Sequence, residues 1–233
     1  MMYRFRIIAE NNSLLRVKVL RGKSIVEMTA PELQERVAPY RRVALDIGAG
    51  DGKFVYRQAQ THPDAFFIGL DASPANLTEY AAKILKKPAK GGLANVLYVI
   101  ANVEQLPAEL HGLANDIFIN FPWGSLLDGL VLGDARVLAN IASVAAPDAT
   151  LEIYINYAVF SEPVPVDVAE LPEMTIDYIN ATLQPRYAAA GIMISERRYL
   201  GPEAMKAIPS TWSRRLAFGK KPQTIFIKAE RPS

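Results

Sequence analysis

Cysteine is absent from this chain and histidine occurs only twice. The first absence excludes disulfides and thiolate metal sites. Two histidines without helical pairing leave no histidine-based zinc site to expect, so no metal is assigned. No apolar run approaches the ~18 residues needed to cross a bilayer, and the stretch Met1 to Glu10 lacks the long apolar segment of a signal peptide. The expectation is a protein of the reducing cytoplasm, away from membranes.

A large net charge is also missing, with 26 Lys and Arg against 24 Asp and Glu. Bulk electrostatics therefore names no polyanionic partner. The distribution is less even. Arg4, Arg6, Arg16, Lys18, Arg21 and Lys23 crowd the start; Lys83, Lys86, Lys87 and Lys90 form a second group; Arg197, Arg198, Arg214, Arg215, Lys220 and Lys221 form a third. Any one such run is ordinarily a solvated surface. Together they suit a phosphate backbone, provided that the fold brings them to one face.

Half of the 233 residues are apolar, enough for one sizeable α/β domain. Residues 14–28 alternate in part and break at Arg21-Gly22, which predicts a β-hairpin. Thr29 is a fitting N-cap, with Pro31 in the first turn of a short helix to about Val37. Strands are then expected at Val43–Ile47, Ala65–Asp71, Val96–Ala101, Asp116–Asn120 and Thr150–Tyr157. Helices are expected from Lys53 to Gln60, from Pro74 to Lys86, from Leu126 to Ala145 with a break at Gly133, and near Thr175 to Ala189. Gly191–Tyr199 and Thr224–Ala229 read as closing strands, separated by the long connection Leu200 to Gln223. Strands alternating with helices imply a parallel sheet covered on both faces.

The centre of this pattern is Val43-Ala-Leu-Asp-Ile-Gly-Ala-Gly-Asp-Gly52, a buried strand running into a glycine turn and a helix start. Glycine permits positive φ and removes the Cβ that would hold a ligand away. The spacing is G-x-G-x-G, one residue short of the dinucleotide fingerprint G-x-G-x-x-G. Asp46 and Asp51 place negative charge beside the turn, which disfavours a pyrophosphate and favours a cationic sulfonium or amine. Asp71, ending the second core strand, is placed to accept from both ribose hydroxyls.

These residues resemble the class I S-adenosylmethionine-dependent methyltransferases. The resemblance implies a Rossmann-like α/β sheet of seven strands, mostly parallel with the last antiparallel, here preceded by the hairpin. It implies S-adenosyl-L-methionine as cofactor, with Asp46 facing the methionine part, Gly48 and Gly50 beneath the cofactor and Asp71 on the ribose. In Ile100-Ala-Asn-Val-Glu-Gln105, Asn102 and Val103 match the adenine-binding position, and Glu104 the partner of the adenine edge.

Asn120-Phe-Pro-Trp-Gly124 follows the fourth core strand, where ligands of this fold class bind. The second of only two tryptophans stands in Ser210-Thr-Trp-Ser-Arg-Arg-Leu-Ala-Phe-Gly-Lys-Lys221, flanked by hydroxyls and cations rather than apolar residues. Phe121-Pro-Trp-Gly, Lys86-Lys-Pro-Ala-Lys-Gly-Gly92 and Trp212-Ser-Arg-Arg-Leu-Ala-Phe-Gly-Lys together resemble the aminoglycoside-resistance methyltransferases that modify N1 of adenosine 1408 (rRNA numbering) in 16S rRNA. The likeness runs from about Leu14 to Lys228. It implies a target adenine flipped between Trp123 and Trp212, in a catalytic pocket edged by Phe121 and Pro122. It implies that Ser210 contacts the cofactor or target pocket, that Arg215 and Lys220 bind RNA phosphates, and that Lys83, Lys86 and Lys87 belong to the RNA-docking surface. The partner would be 16S rRNA in the assembled 30S subunit, met by a monomer. On that reading residues 1–13 are a loose extension, 14–40 the hairpin and short helix, and 41–233 a catalytic core whose linkers 158–190 and 200–223 serve target binding. The proline- and acid-rich Ser161–Pro172 receives no assigned residue.

Three other readings compete. An adenine N6 methyltransferase is approached by Asn120-Phe-Pro-Trp, although Phe121 stands where that motif has proline. A small-molecule methyltransferase would leave the basic clusters without purpose. A non-catalytic RNA-binding module would keep the tryptophans but not need the full glycine and acid set.

Overall fold

The computed structural model describes residues 16–156, 171–208 and 224–233. Strand β1 (Arg16–Arg21) buries Val17, Val19 and Leu20 and exposes Arg16, Lys18 and Arg21. A turn with Gly22 at φ 67° returns the chain as β2 (Ser24–Thr29), in antiparallel register from Arg16↔Thr29 to Arg21↔Ser24. Thr29 then caps α1 (Ala30–Val37): its hydroxyl accepts from Glu32 N–H, and the Glu32 carboxylate accepts from Thr29 N–H at 2.7 Å. This reciprocal box satisfies two donors that the first helical turn leaves open.

The remaining elements alternate as β3 (Arg42–Ile47), α2 (Lys53–Thr61), β4 (Ala65–Asp71), α3 (Pro74–Lys83), β5 (Val96–Ile100), β6 (Ala114–Asn120), α4 (Gly124–Leu132), α5 (Ala135–Val144) and β7 (Ala145–Asn156). After residue 171, the segments Ile176–Tyr178, Ile179–Leu183 and Gln184–Ala189 run on as one helix, α6, whose middle turn is π-helical and whose N-cap is Thr175. Then come β8 (Met193–Leu200), α7 (Pro202–Ala207) and β9 (Thr224–Arg231).

The sheet has nine strands in the order β2-β1-β5-β4-β3-β6-β7-β9-β8. Seven form the expected methyltransferase sheet, with β9 antiparallel to both neighbours. The hairpin is not a separate appendage. Its strand β1 pairs antiparallel with β5 at Val19↔Val99 and adds two strands to the sheet, which covers an edge that would otherwise expose unpaired backbone groups.

The two faces carry separate cores. Leu33 and Val37 of α1, Leu126 to Val131 of α4, Val137 to Val144 of α5 and Ile179 to Tyr187 of α6 pack on one side; Phe54 to Ala59 of α2 and Leu77 to Ala81 of α3 pack on the other. Strand β3 shows the period-two logic: Val43, Leu45 and Ile47 enter the first core and Ala44 the second, leaving Asp46 on the side of α2.

Several expected boundaries shift for local reasons. The helix expected to continue to Lys86 stops at Lys83, because the following residues close on themselves: Leu93 N–H donates to Ile84 C=O at 3.1 Å and Gly92 N–H to Lys87 C=O at 3.2 Å. A Cβ on Gly92 would lie 1.7 Å from the Lys86 carbonyl oxygen, so only glycine closes that loop. The expected break at Gly133 separates two helices, since Gly133 takes φ 62° and Asp134 caps α5 by accepting from Arg136 and Val137 N–H. Strand β7 starts at Ala145 rather than Thr150. The connection after Leu200 is helical at first, as α7, and residues 209–223 lie outside the described part.

The fully buried Tyr98 packs under the glycine turn, and its hydroxyl donates to Gly52 C=O at 2.8 Å. A Cβ on Gly52 would fall 2.6 Å from that ring, at a residue with φ 74°. Gly52→Ala should therefore cost about 2–5 kcal/mol, from left-handed strain and overpacking together. Gly50→Ala, at φ 55° with nothing within 4 Å of the added methyl, should cost only about 1 kcal/mol. Urea denaturation of the two variants checks this ordering.

Candidate active site

The parallel strands β3, β4, β5 and β6 deliver their carboxyl ends to one rim, at the point where the chain order reverses across β3. A cleft of about 480 Å³ opens there, lined by Asp46 and the glycine turn, Asp71, Asn102 and Val103, and Asn120 to Trp123. Backbone geometry builds its floor. Gly48 N–H and Ala49 N–H both donate to Leu70 C=O at 2.8 Å, and Gly50 N–H donates to the Asp71 carboxylate at 2.9 Å. The three glycines answer different demands. A Cβ on Gly48 would meet Leu126 at 2.9 Å and one on Gly52 the Tyr98 ring, whereas Gly50 faces open space. Gly48 and Gly50 both line the cleft, and of the three glycines only Gly50 has free space where a Cβ would stand.

Asp71 is half-buried and held in place: besides Gly50 N–H it accepts from Ser73 N–H at 2.8 Å and from the Asn76 amide at 3.3 Å. Oδ1 takes the Ser73 and Asn76 bonds and Oδ2 the Gly50 bond, so one acceptor site stays open on Oδ2, and the long Asn76 bond is the one a second hydroxyl would replace on Oδ1. Asp46 is 2% exposed and accepts from the Asn120 amide at 3.0 Å. Burial pushes its carboxyl up to about 7; the Asn120 bond opposes the shift, and Asp71 and Asp51 reinforce it. A buried carboxyl so poised favours a cationic ligand over an anion.

The turn after β6 is strained. Phe121 has φ 54°, a left-handed conformation that costs a bulky residue about 1–3 kcal/mol. Its N–H donates to Tyr154 C=O at 2.8 Å, and its ring packs with Leu200, Met205, Ile208 and Phe226. That anchorage, followed by the buried Pro122, leaves Trp123 at the N-cap of α4 with 46% of its surface exposed on the cleft.

Glu104 stands apart from this cleft. Its carboxylate pairs with Arg136 at 3.6 Å and lines a neighbouring cleft of about 530 Å³ with Asp128, Asp134 and Arg186. Asn102 is exposed on the rim of the cleft and accepts from Glu104 N–H at 3.0 Å, while Asn140 of α5 donates to Val103 C=O and Glu104 C=O. The sequence places Asn120 at the pocket edge, with a target contact only in the N6 alternative, and it marks neither Asn76 nor Asn140, whose amide acts across 36 and 37 residues.

Lys83 lies over the Tyr56 ring with its ammonium 4.4 Å from the centroid, and Lys86 and Lys87 are exposed on the closed loop. Ser210, Trp212, Arg215 and Lys220 lie outside the described residues. Among the described residues no group of three or more His, Asp or Glu could hold a metal, and no helix is long and apolar enough to cross a membrane.

The profile of the NpmA family, described as 16S rRNA (adenine(1408)-N(1))-methyltransferase, matches residues 18–231. The chain belongs to that family. It is 38% identical over 195 residues to the 16S rRNA (adenine(1408)-N(1))-methyltransferase of Streptoalloteichus hindustanus, covering 84% of this chain and 89% of the relative. To the enzyme of that description from Escherichia coli it is 36% identical over 204 residues, covering 87% and 93%. Among solved structures, a tryptophan-to-alanine mutant of the 16S rRNA (adenine(1408)-N(1))-methyltransferase from Catenulisporales acidiphilia, with cosubstrate SAM, superposes with a TM-score of 0.85 at 36% identity, covering 93% of this chain and 97% of that one. The 16S rRNA methyltransferase KamB superposes at 0.84 with 34% identity, covering 94% and 100%. The architecture is thus that of S-adenosylmethionine-dependent rRNA methyltransferases, and the family's cofactor fits the open side of Gly50, the fixed Asp71 and the buried acid.

The elevated Asp46 carboxyl makes stability depend on pH. The folded chain holds this proton more tightly than the unfolded one, whose reference value is 3.8. Stability from this group is complete below that value and is lost as pH rises towards about 7. Asp46→Asn should flatten the decline between those limits and be relatively more stable at pH 8, as read from melting temperatures across the range.

Proposed function

We propose that this protein transfers the methyl group of S-adenosyl-L-methionine to N1 of adenosine 1408 (rRNA numbering) of 16S rRNA in the assembled 30S subunit, with the target adenine held between Trp123 and Trp212. The observation that carries the reading is the meeting in one cleft of a cofactor cradle, Gly50 with Asp71, and an exposed tryptophan raised on a strained turn. Membership of a family whose curated members bear that activity supports the nucleotide.

When bound, the cofactor supplies an electrophilic methyl on a sulfonium. The chain's residues bind and align. Gly50 gives the cofactor room, Asp71 accepts from the ribose hydroxyls, and Val103 provides an apolar wall for its adenine. Ionised Asp46 offsets the positive charge of the methionyl end. Adenine N1 carries an in-plane lone pair and no proton, so no general base is needed, and alignment supplies the acceleration. Extracting a base from its stack costs a few kcal/mol, which stacking on the indole of Trp123 offsets at roughly 1–3 kcal/mol. The product base is cationic, and an indole face accommodates it. A methyl on the Watson–Crick edge of a decoding-site adenine removes contacts to aminoglycosides, in keeping with structural relatives described as antibiotic-resistance methyltransferases.

Mapping the methyl on 30S subunits tests the reading. An N1 methyl stops reverse transcriptase at that adenine, whereas read-through of methylated RNA points to the N6 position instead. Trp123→Ala should lower methylation roughly 5- to 150-fold, the loss of one stacking face, with cofactor affinity by calorimetry nearly unchanged; full activity in this variant overturns the sandwich. Cofactor affinity should strengthen up to tenfold as pH rises from about 6 to 8, because the cation binds the ionised Asp46. Asp46→Asn should remove that dependence.

A further inference from the structure

Two of the basic groups in the sequence, more than sixty residues apart, meet in space. The hairpin turn at Gly22 lies against the loop that follows α3: a Cβ on Gly22 would stand 3.7 Å from Leu85 Cδ1, ordinary van der Waals contact. Leu20, just before the turn, is buried in the same apolar cluster as Leu77, Tyr80 and Ile84. Arg21 and Lys23 flank Gly22, and Lys86 and Lys87 follow Leu85; all four are exposed. Arg36, in the last turn of α1, lies near the same place. Its guanidinium pKa is lowered mainly by burial, raised by Tyr40 and lowered again by the proximity of Arg21.

Among the described residues, no ion pair involves Arg21, Lys23, Arg36, Lys86 or Lys87. Two carboxylates of the same elements are engaged elsewhere: Glu27 pairs with Arg16 at 3.7 Å, and Glu32 closes the α1 capping box. Both supports are rigid. The lysine loop is fixed by Gly92, by the bond from Gly92 N–H to Lys87 C=O, and by Tyr56, whose hydroxyl donates to Gly91 C=O at 2.8 Å. The turn is fixed by the full register of β1 and β2. Of the third basic group, the described members Arg197 and Arg198 do not join them. Both lie on β8, at the opposite edge of the nine-stranded sheet, and Arg198 is held by Glu196 at 2.6 Å and by the Phe226 ring.

We propose that the β1–β2 hairpin turn, through Arg21 and Lys23, completes one cationic surface with Lys86 and Lys87 that grips the phosphate backbone of 16S rRNA away from the cleft. This rests on the proposed rRNA substrate. It assigns the hairpin a binding role besides its place at the sheet edge. Uncompensated like charges on rigid supports repel one another until an anion of matching density binds, and a nucleic-acid backbone presents such a row of charges.

The test compares wild type with R21E/K23E for binding to purified 30S subunits over a series of salt concentrations. The double variant should bind at least tenfold more weakly, and the slope of log affinity against log salt should become shallower by roughly 1.5, the effect of two lost phosphate contacts. Cofactor affinity and the methylated position should not change. Unchanged affinity and slope, with wild type methylating normally, overturn this inference alone. Failure of wild type to methylate or bind 30S subunits overturns the proposed function and this inference with it. Should the charge reversal lower the melting temperature, R21Q/K23Q decides: a weaker, shallower salt dependence supports the surface, and wild-type behaviour overturns it.

Discussion

The site depends on the hydrogen bonds that tie the turn after β3 to the end of β4. Parallel pairing sets Ile47 opposite Leu70, so the next residues of one strand reach the last residues of the other. Leu70 C=O then receives Gly48 and Ala49 N–H, and the Asp71 carboxylate receives Gly50 N–H. The Asp71 carboxylate, proposed to hold the ribose, and the open backbone at Gly50 are thereby fixed by one set of bonds. The turn can make them because its glycines adopt positive φ, and because Tyr98 supports it from below through Gly52.

Strain at Phe121 works against that rigid base. A large aromatic residue in the left-handed region is tolerated because its ring is anchored among Leu200, Met205, Ile208 and Phe226, and its N–H is satisfied by Tyr154. The stability invested there leaves a tryptophan exposed at a helix N-cap on the cleft. Asp46 adds a second concession to function, a carboxyl buried among other acids where an apolar residue would fold more easily. Both costs fall beside the proposed reaction centre, where departures from ordinary folding rules are expected.

Much of the fold was legible because its signals are local. Thr29 with Pro31, the apolar run Ala65–Asp71 and the glycine turn carry their own conformational preferences, and each lies where the sequence indicates. The hairpin was legible as a hairpin but not as part of the sheet, since β1 meets β5 across eighty residues of chain. The end of α3 was misplaced for a similar reason: Lys86 has good helix propensity, but the bond from Leu93 to Ile84 and the crowding at Gly92 stop the helix at Lys83.

The sequence by itself determined the parallel α/β order, the glycine turn, the acid that ends β4 and the tryptophan after β6, because each follows from residue type and spacing along one stretch. Only the tertiary structure decided what the sequence could not compare across distance. It set Gly48 and Gly52 against packed side chains and left Gly50 facing open space, raised the Asp46 carboxyl through burial, and turned Glu104 to Arg136 in a neighbouring cleft. It also joined the hairpin cations to the lysine loop while sending Arg197 and Arg198 to the far edge. Burial, electrostatic coupling and sheet pairing arise between segments that the chain alone keeps apart, and they exist only once it has folded.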